Sequence, residues 1–284
     1  MLQNVVAISP STTPKPEHII NIPPFGAYPP TPAQSWIRRV FHSTPLGFMR
    51  IRRPFVERFK HECAGPVDSY LFGMKVRFHP HDNQTDAKSA VCGNCYNSRE
   101  WRWVAKCLPM GGNFVDIGAI MGFFSLFAAT RRARIVAIEP HPVLFARLGV
   151  NMAFNGIDAC LVRAAVGARD ETGMLVQTNS DYGGGTIGTG DGERVRIRPL
   201  LDILNEAGME HVDVLKIDIE GYEDRALIPF LRTAPDRLLP RHIIMEYSER
   251  DRWHGDLMDA LARAGYRRRA RSRGNILLSR RARG

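Results

Sequence analysis

The residues best able to do chemistry are the acids of the segment Lys216-Ile217-Asp218-Ile219-Glu220-Gly221-Tyr222-Glu223. Side chains two apart on an extended strand share a side, so Lys216, Asp218 and Glu220 emerge together. An acid-rich strand end can bind a hydroxyl, hold a metal or take up a proton. An alcohol is a poor nucleophile at neutral pH, and a carboxylate within hydrogen-bond reach can remove its proton. Asp218 is the first candidate for that base. Glu246, which closes the apolar run Ile243-Ile244-Met245 on the next strand, is the second, and Glu220 is the third. Glu223 reads more simply as an acid at a helix N-terminus, favourable there in its own right. A divalent ion is another way to lower an alcohol's pKa, but nothing in the sequence demands one and no metal ligand is assigned.

A second constellation suits a cofactor. The run Asp116-Ile117-Gly118-Ala119-Ile120-Met121-Gly122 follows an apolar strand and opens an apolar helix. Gly118 lets the chain turn sharply and lets a ligand approach the backbone. The helix that follows offers free N–H groups and the positive end of its dipole. Dinucleotide-binding chains use G-x-G-x-x-G, and Ile120 stands where the second glycine belongs. A pyrophosphate fits such a loop poorly, whereas a methionine carboxylate near a helix start fits well. Glu139 ends the next strand about 20 residues on, where an acid accepts hydrogen bonds from both hydroxyls of a ribose and repels a 2′-phosphate. His141, just beyond it, suits helix capping or pocket lining better than base chemistry.

These residues need strand ends gathered along one edge of a sheet, where α/β folds bind their ligands. NFVDIG and RIVAIEP read as buried strands, each followed by a helix: Ala119 to Arg132, then Pro142 to Asn155 with Gly156 as its stop. ACLVRAAVG is a third strand. ETGMLVQT and ERVRIRPL are strands flanking a glycine-rich loop from Gly183 to Gly192. VDVLKIDIEG and RHIIMEYS are further strands, set among the helices LLDILNEAG, Tyr222 to Leu231 and WHGDLMDALARAG. YRRRARSR, a Gly-Asn turn and ILLSRR close the chain as a hairpin. Alternating β and α units predict a mainly parallel sheet with helices on both faces.

Upstream, proline-rich residues 1–35 read as a flexible arm. Residues 36–110 read as an extension covering the active site. It contains amphipathic helices broken by Pro45 and Pro54, a strand in LFGMKVRFHP and a helix capped by Ser98. Residues 111–284 form the cofactor-binding domain.

The 284 residues, 44% hydrophobic and 24% charged, suit one sizeable soluble α/β domain with additions. No apolar run approaches the ~18 residues of a membrane span, and the N-terminus lacks the form of a signal peptide. Five cysteines, an odd number, do not suggest a disulfide framework, so a cytoplasmic setting is expected. The net charge of +10 is concentrated near the end, in Arg267, Arg268, Arg269, Arg271, Arg273, Arg280, Arg281 and Arg283. Such a run can meet nucleic acid or an anionic membrane surface. The simpler reading is a solvated strand pair. With Tyr266 the only aromatic there, base stacking is poorly served and no nucleic-acid partner is expected. A peripheral membrane-surface contact stays open. His79, His81, Cys92 and Cys95 offer a zinc donor set, but their order and the one-residue histidine spacing do not match common fingers.

Taken in order, VDIGAIMGFFSL, IVAIEPHP, NMAFNGI, AAVG, LKIDIEGYE and IIMEY resemble the FkbM-type methyltransferase family, and FGMKVRFHP is similar to the family's entry segment. The resemblance runs from about Tyr70 to the C-terminus, and KIDIEG is its most specific piece. It implies a class I methyltransferase (Rossmann-like) fold: a seven-stranded, mainly parallel sheet whose last strand is antiparallel. It also implies S-adenosylmethionine as cofactor and methyl transfer to a small-molecule or glycan acceptor, through a hydroxyl of a sugar, glycolipid or polyketide. Carried over by residue, Asp116, Gly118, Ala119 and Gly122 form the loop at the cofactor's methionine and Glu139 takes the ribose. Ala165 and Val166 line the adenine slot, and Asp218 lies beside the transfer site. The family usually has Asn where this chain has Ile120, so an amide that would orient the cofactor is absent. Two alternatives follow: a cofactor-binding homologue with impaired catalysis, or an anion-binding module built on the arginine-rich C-terminus.

Overall fold

Before the main sheet come helices α1 (Pro32–Ser43) and α2 (Arg52–His61), strands β1 (Val67–Leu71) and β2 (Met74–Phe78), and helices α3 (Gln84–Cys92) and α4 (Ser98–Cys107). The alternating part follows: β3 (Asn113–Ile117), α5 (Phe123–Ala129), β4 (Arg134–Ile138), α6 (Pro142–Phe154), β5 (Cys160–Val162), β6 (Ala165–Gly167), β7 (Glu171–Gln177), β8 (Gly185–Gly188), β9 (Glu193–Pro199) and α7 (Leu200–Glu206). It ends with β10 (Val214–Ile217), α8 (Glu223–Thr233), β11 (His242–Glu246), α9 (Leu257–Arg263), β12 (Tyr266–Arg271) and β13 (Asn275–Arg280). This computed structural model describes residues 22–43, 52–62, 65–177 and 182–280.

Seven strands hydrogen-bond in the order β12-β13-β11-β10-β3-β4-β5. β5, β4, β3, β10 and β11 are parallel neighbours, and β13 runs antiparallel to both β11 and β12. The sheet is therefore mainly parallel with its last strand reversed, as the resemblance implied. Strand order turns back between β3 and β10, so the loops leaving these two strands diverge and open a crevice at their carboxyl ends.

Alternation along each strand divides the interior into two cores. Phe114, Ile135, Ala137, Val214 and Ile244 face a core shared with α4, α5, α6 and the N-terminal elements. Val115, Ile117, Val136, Ile138, Leu215, Ile217, Ile243 and Met245 face the other, against α7, α8 and α9. The described part of residues 36–110 thus shares a core with the sheet through Ile37, Phe41, Phe59, Phe78 and Val104, all buried. Among the described residues, no helix is long and apolar enough to cross a membrane.

Several local expectations are corrected. The arm does not run free to residue 35. Arg77 pairs with Asp68 through its Nε at 2.7 Å and donates its other nitrogens to the carbonyls of Pro23 and Pro24, at 3.0 Å each. Phe25 sits edge-on to Tyr70 and Phe154, and α1 begins at Pro32. Residues 1–21 and Pro45 lie outside the described residues. Pro54 does not break a helix; it lies in the first turn of α2, where a missing N–H costs nothing. Ser98 is the first helical residue of α4, and Asn97 in a left-handed conformation precedes it.

ACLVRAAVG is not one strand. β5 joins the main sheet, whereas β6 joins a second sheet of order β6-β9-β7-β8. The stretch 183–192 is not all loop, because Gly185–Gly188 pairs antiparallel with β7. The helix expected from Ala119 to Arg132 is only Phe123–Ala129, because Gly118, Ile120 and Gly122 all have positive φ and spend four residues on a tight loop.

Candidate active site

The parallel register of β3 and β10 places Asp116 directly opposite Lys216. Both are buried, and Lys216 Nζ lies 3.6 Å from Asp116 Oδ1. The same ammonium donates to the Gly118 carbonyl at 2.7 Å, and Ser125 donates to Asp116 Oδ2 at 2.7 Å. Asp116 Oδ1 itself is left with the ion pair and no hydrogen bond, so Lys216 holds the loop from beneath mainly through the Gly118 carbonyl. Burial raises the Asp116 carboxyl above its ordinary pKa, against the pull of Lys216. A methyl added at Gly118 would stand 2.1 Å from the Asp218 carbonyl oxygen. Only glycine lets the two strand-end loops touch there.

Glu139 ends β4 with 4% of its surface exposed. It accepts N–H bonds from Ile120 at 2.8 Å and from His141 at 2.9 Å, one on each oxygen. Burial lifts its carboxyl to about 7, although both N–H bonds and Lys216 pull it down. Each oxygen keeps lone-pair capacity for a further donor. Around Glu139 opens a pocket of about 560 Å³, open solvent at its mouth included. Gly118, Ile120 and Pro140 line its floor, and Ala165, Val166, Leu175 and Ile187 form an apolar wall. The Tyr182 ring lies 4.8 Å from the His141 ring, tilted by 42°, and His141 also caps α6 by accepting from the Val143 N–H.

Asp218 and Glu220 line the same pocket from the β10 side. Each of Asp218, Glu220 and Glu246 offers a carboxylate oxygen within 4.8 Å of the others, and no other set of three or more such donors forms among the described residues. Three acids this close cannot all be ionised at neutral pH. Burial first, then Asp218 and Glu220, push the Glu246 carboxyl far above the carboxylate range. Glu246 Oε2 is buried with no hydrogen-bond donor among the described residues. Ser248 donates to Glu246 Oε1 at 2.7 Å. Burial and Asp218 raise the Glu220 carboxyl to about 7. Glu223 anchors the turn: it accepts from the Ile219 N–H at 3.0 Å and from the Trp253 indole at 2.8 Å.

Of the residues expected at the cofactor, Gly118, Glu139, Ala165 and Val166 line the pocket. Asp116, Ala119 and Gly122 do not. Asp116 lies under the loop. The N–H groups of Gly118 and Ala119 both go to the Ile138 carbonyl, at 3.0 and 3.1 Å. Gly122 fits α5 against Leu148 and Met152 of α6. Of the three candidate bases, Asp218 and Glu220 line the pocket, and Glu246 lies with them without lining it. Although no metal ligand was expected, the three carboxylates have the spacing to hold one cation. Sequence reasoning did not assign Tyr182, Leu175, Ile187 or Tyr222 to the pocket, nor Lys216 to the loop. His79, His81, Cys92 and Cys95 form no donor cluster, and Cys92 is buried in the core.

A mainly parallel seven-stranded sheet with a reversed last strand, a glycine turn after one strand and an acid after the next define an α/β protein that gathers its ligand site at the strand ends. The chain matches the methyltransferase FkbM domain over residues 116–268, more than half its length, and belongs to that family. It is 26% identical to the AMB antimetabolite synthetase AmbE of Pseudomonas aeruginosa, across 55% of this chain and 9% of that protein. It is 29% identical to methyltransferase sdnD of Sordaria araneosa, across 41% of this chain and 59% of that protein. The chain thus spans less than two thirds of the length of either relative. A solved methyltransferase from Pyrococcus furiosus is similar with a TM-score of 0.43 and 14% identity, covering 81% of this chain and 97% of that one.

Proposed function

We propose that this chain binds S-adenosylmethionine in the pocket between Gly118, Glu139 and Val166, and methylates a hydroxyl of a small-molecule acceptor such as a sugar, glycolipid or polyketide. One observation carries the reading: the pocket that holds a buried ribose-type acid, Glu139, is also lined by Asp218 and Glu220. The chain's residues fit the cofactor. Glu139 keeps free lone pairs for two hydroxyls, and the apolar wall of Ala165, Val166 and Leu175 suits an adenine ring. The cofactor, when bound, supplies an already activated sulfonium methyl. Alignment and proton removal are then what the protein must provide.

Asp218 is the base. It accepts the acceptor's hydroxyl proton, while protonated Glu246 hydrogen-bonds and orients its carboxylate. Glu220, close by, helps shape the acceptor side. Lys216 and Glu223 are positioning residues that hold the two loops. Family membership favours this reading over an anion-binding module built on the C-terminal arginines. Calorimetry with S-adenosylmethionine tests it, with Glu139→Ala as the companion variant. Binding to the intact protein, weakened in the variant, is expected; no binding to the intact protein would end the proposal.

A further inference from the structure

A second, open pocket of about 730 Å³, solvent at its mouth included, lies between α2, α3 and the turn joining β12 to β13. Among the described residues, its walls carry Arg52, Arg53, Lys88 and Arg273 against one acid, Glu57. Glu57 is itself 4.0 Å from Lys60. Arg52, Arg53 and Arg273 have no ion pair with a described acid. Cations gathered in a recess repel one another unless an anion joins them.

The pocket adjoins the reaction centre in two ways. Arg52 lies 5.6 Å from the centre of the Tyr96 ring. The Tyr96 phenol, pushed up to about 12 chiefly by burial, feels the charges of both Asp218 and Arg52. On the other side, Glu246 of β11 is in register with Asn275 of β13, two residues beyond Arg273. Asn275 donates to Glu100 of α4 at 3.1 Å, and Ser272 hydrogen-bonds the same carboxylate. Arg273 is therefore carried on a turn pinned beside the acid cluster.

We infer that this pocket is the acceptor subsite for an oxyanion: the methylated molecule carries a phosphate, sulfate or carboxylate that Arg52, Arg53 and Arg273 bind while its hydroxyl reaches Asp218. This rests on the methyltransferase reading. Guanidinium groups suit the task because their fixed forks match the oxygens of such groups. The two pockets share no lining residue, so the anion and the reacting hydroxyl lie on different parts of one molecule.

Inorganic pyrophosphate is the probe. Titrated calorimetrically into the full chain, it is expected to bind at one site. Binding should weaken roughly tenfold or more in Arg52→Gln/Arg273→Gln, which removes two charge-assisted contacts. In Arg268→Gln/Arg269→Gln, on the exposed face of β12, it should be unchanged. S-adenosylhomocysteine affinity, measured on the same samples, should be equal in all three proteins and reports separately on folding and on the cofactor reading. Equal pyrophosphate binding by Arg52→Gln/Arg273→Gln and the parent, or loss of binding in the β12 variant, overturns the subsite. The methyl-labelled product formed in an extract should bind an anion exchanger at neutral pH. Release by phosphatase identifies a phosphate, and continued retention identifies a carboxylate or sulfate. An uncharged labelled product overturns the proposal.

Discussion

Glu139 makes cofactor binding depend on pH in a direction that its surroundings set. Ribose hydroxyls donate hydrogen bonds best to an ionised carboxylate, yet burial holds this carboxyl near 7 when the pocket has no ligand. Binding therefore releases a proton below that pH. The protonated fraction must be emptied first, so apparent affinity scales with the ionised fraction. With a pKa of about 7, that fraction rises from roughly one tenth at pH 6 to nine tenths at pH 8. Affinity for S-adenosylhomocysteine should rise about tenfold across this interval, and calorimetry in buffers of different ionisation enthalpy should detect proton release at pH 6. Glu139→Gln keeps the side chain's size but cannot titrate. It should bind more weakly than the parent at pH 8 and lose the parent's rise, which also separates Glu139 from ionisation of the ligand. A flat profile in the parent, or the same rise in Glu139→Gln, would refute the argument.

Gly118→Ala places a methyl 2.1 Å from the Asp218 carbonyl at a φ of +71°. Strain of the left-handed region and overpacking together should cost about 2–4 kcal/mol in chemical denaturation. Ile120 holds a φ of +54°, which a β-branched side chain adopts poorly. Ile120→Gly should therefore be more stable than Ile120→Ala by about 1 kcal/mol, the reverse of the usual order for these two residues; equal melting temperatures would place no strain there. Because Glu246 fills the acid cluster with a proton, chelator should leave the methyl-transfer rate unchanged. Activity lost to chelator and restored by magnesium or manganese would instead make Asp218, Glu220 and Glu246 a cation site.

The strand ends were legible because the residues there have few alternatives. A glycine closing an apolar strand, an acid closing the next and alternating acids on a third each point to one edge of a parallel sheet. The facing wall was not legible. Leu175 and Ile187 reach the pocket through β6 pairing with β9, some thirty positions away, and no local period signals that pairing. Lys216 was given no role, because only the β3–β10 register reveals its partner Asp116. The helix dipole expected beneath the loop was lost for a local reason. Three positive-φ residues delay α5 until Phe123, leaving a helix of seven residues. Cys92, weighed as a zinc donor, is instead the last residue of α3, whose start Asn83 caps by accepting from the Asp86 N–H at 2.9 Å.

The central claim is that Asp218 takes the acceptor's proton within a pocket that binds the cofactor independently of it. Asp218→Asn tests this most directly, with labelled methyl transfer and S-adenosylhomocysteine affinity measured on one preparation. Turnover is expected to fall by about 10²–10⁴-fold, the usual contribution of a positioned base, with affinity held within about threefold. Turnover retained in Asp218→Asn would contradict the account.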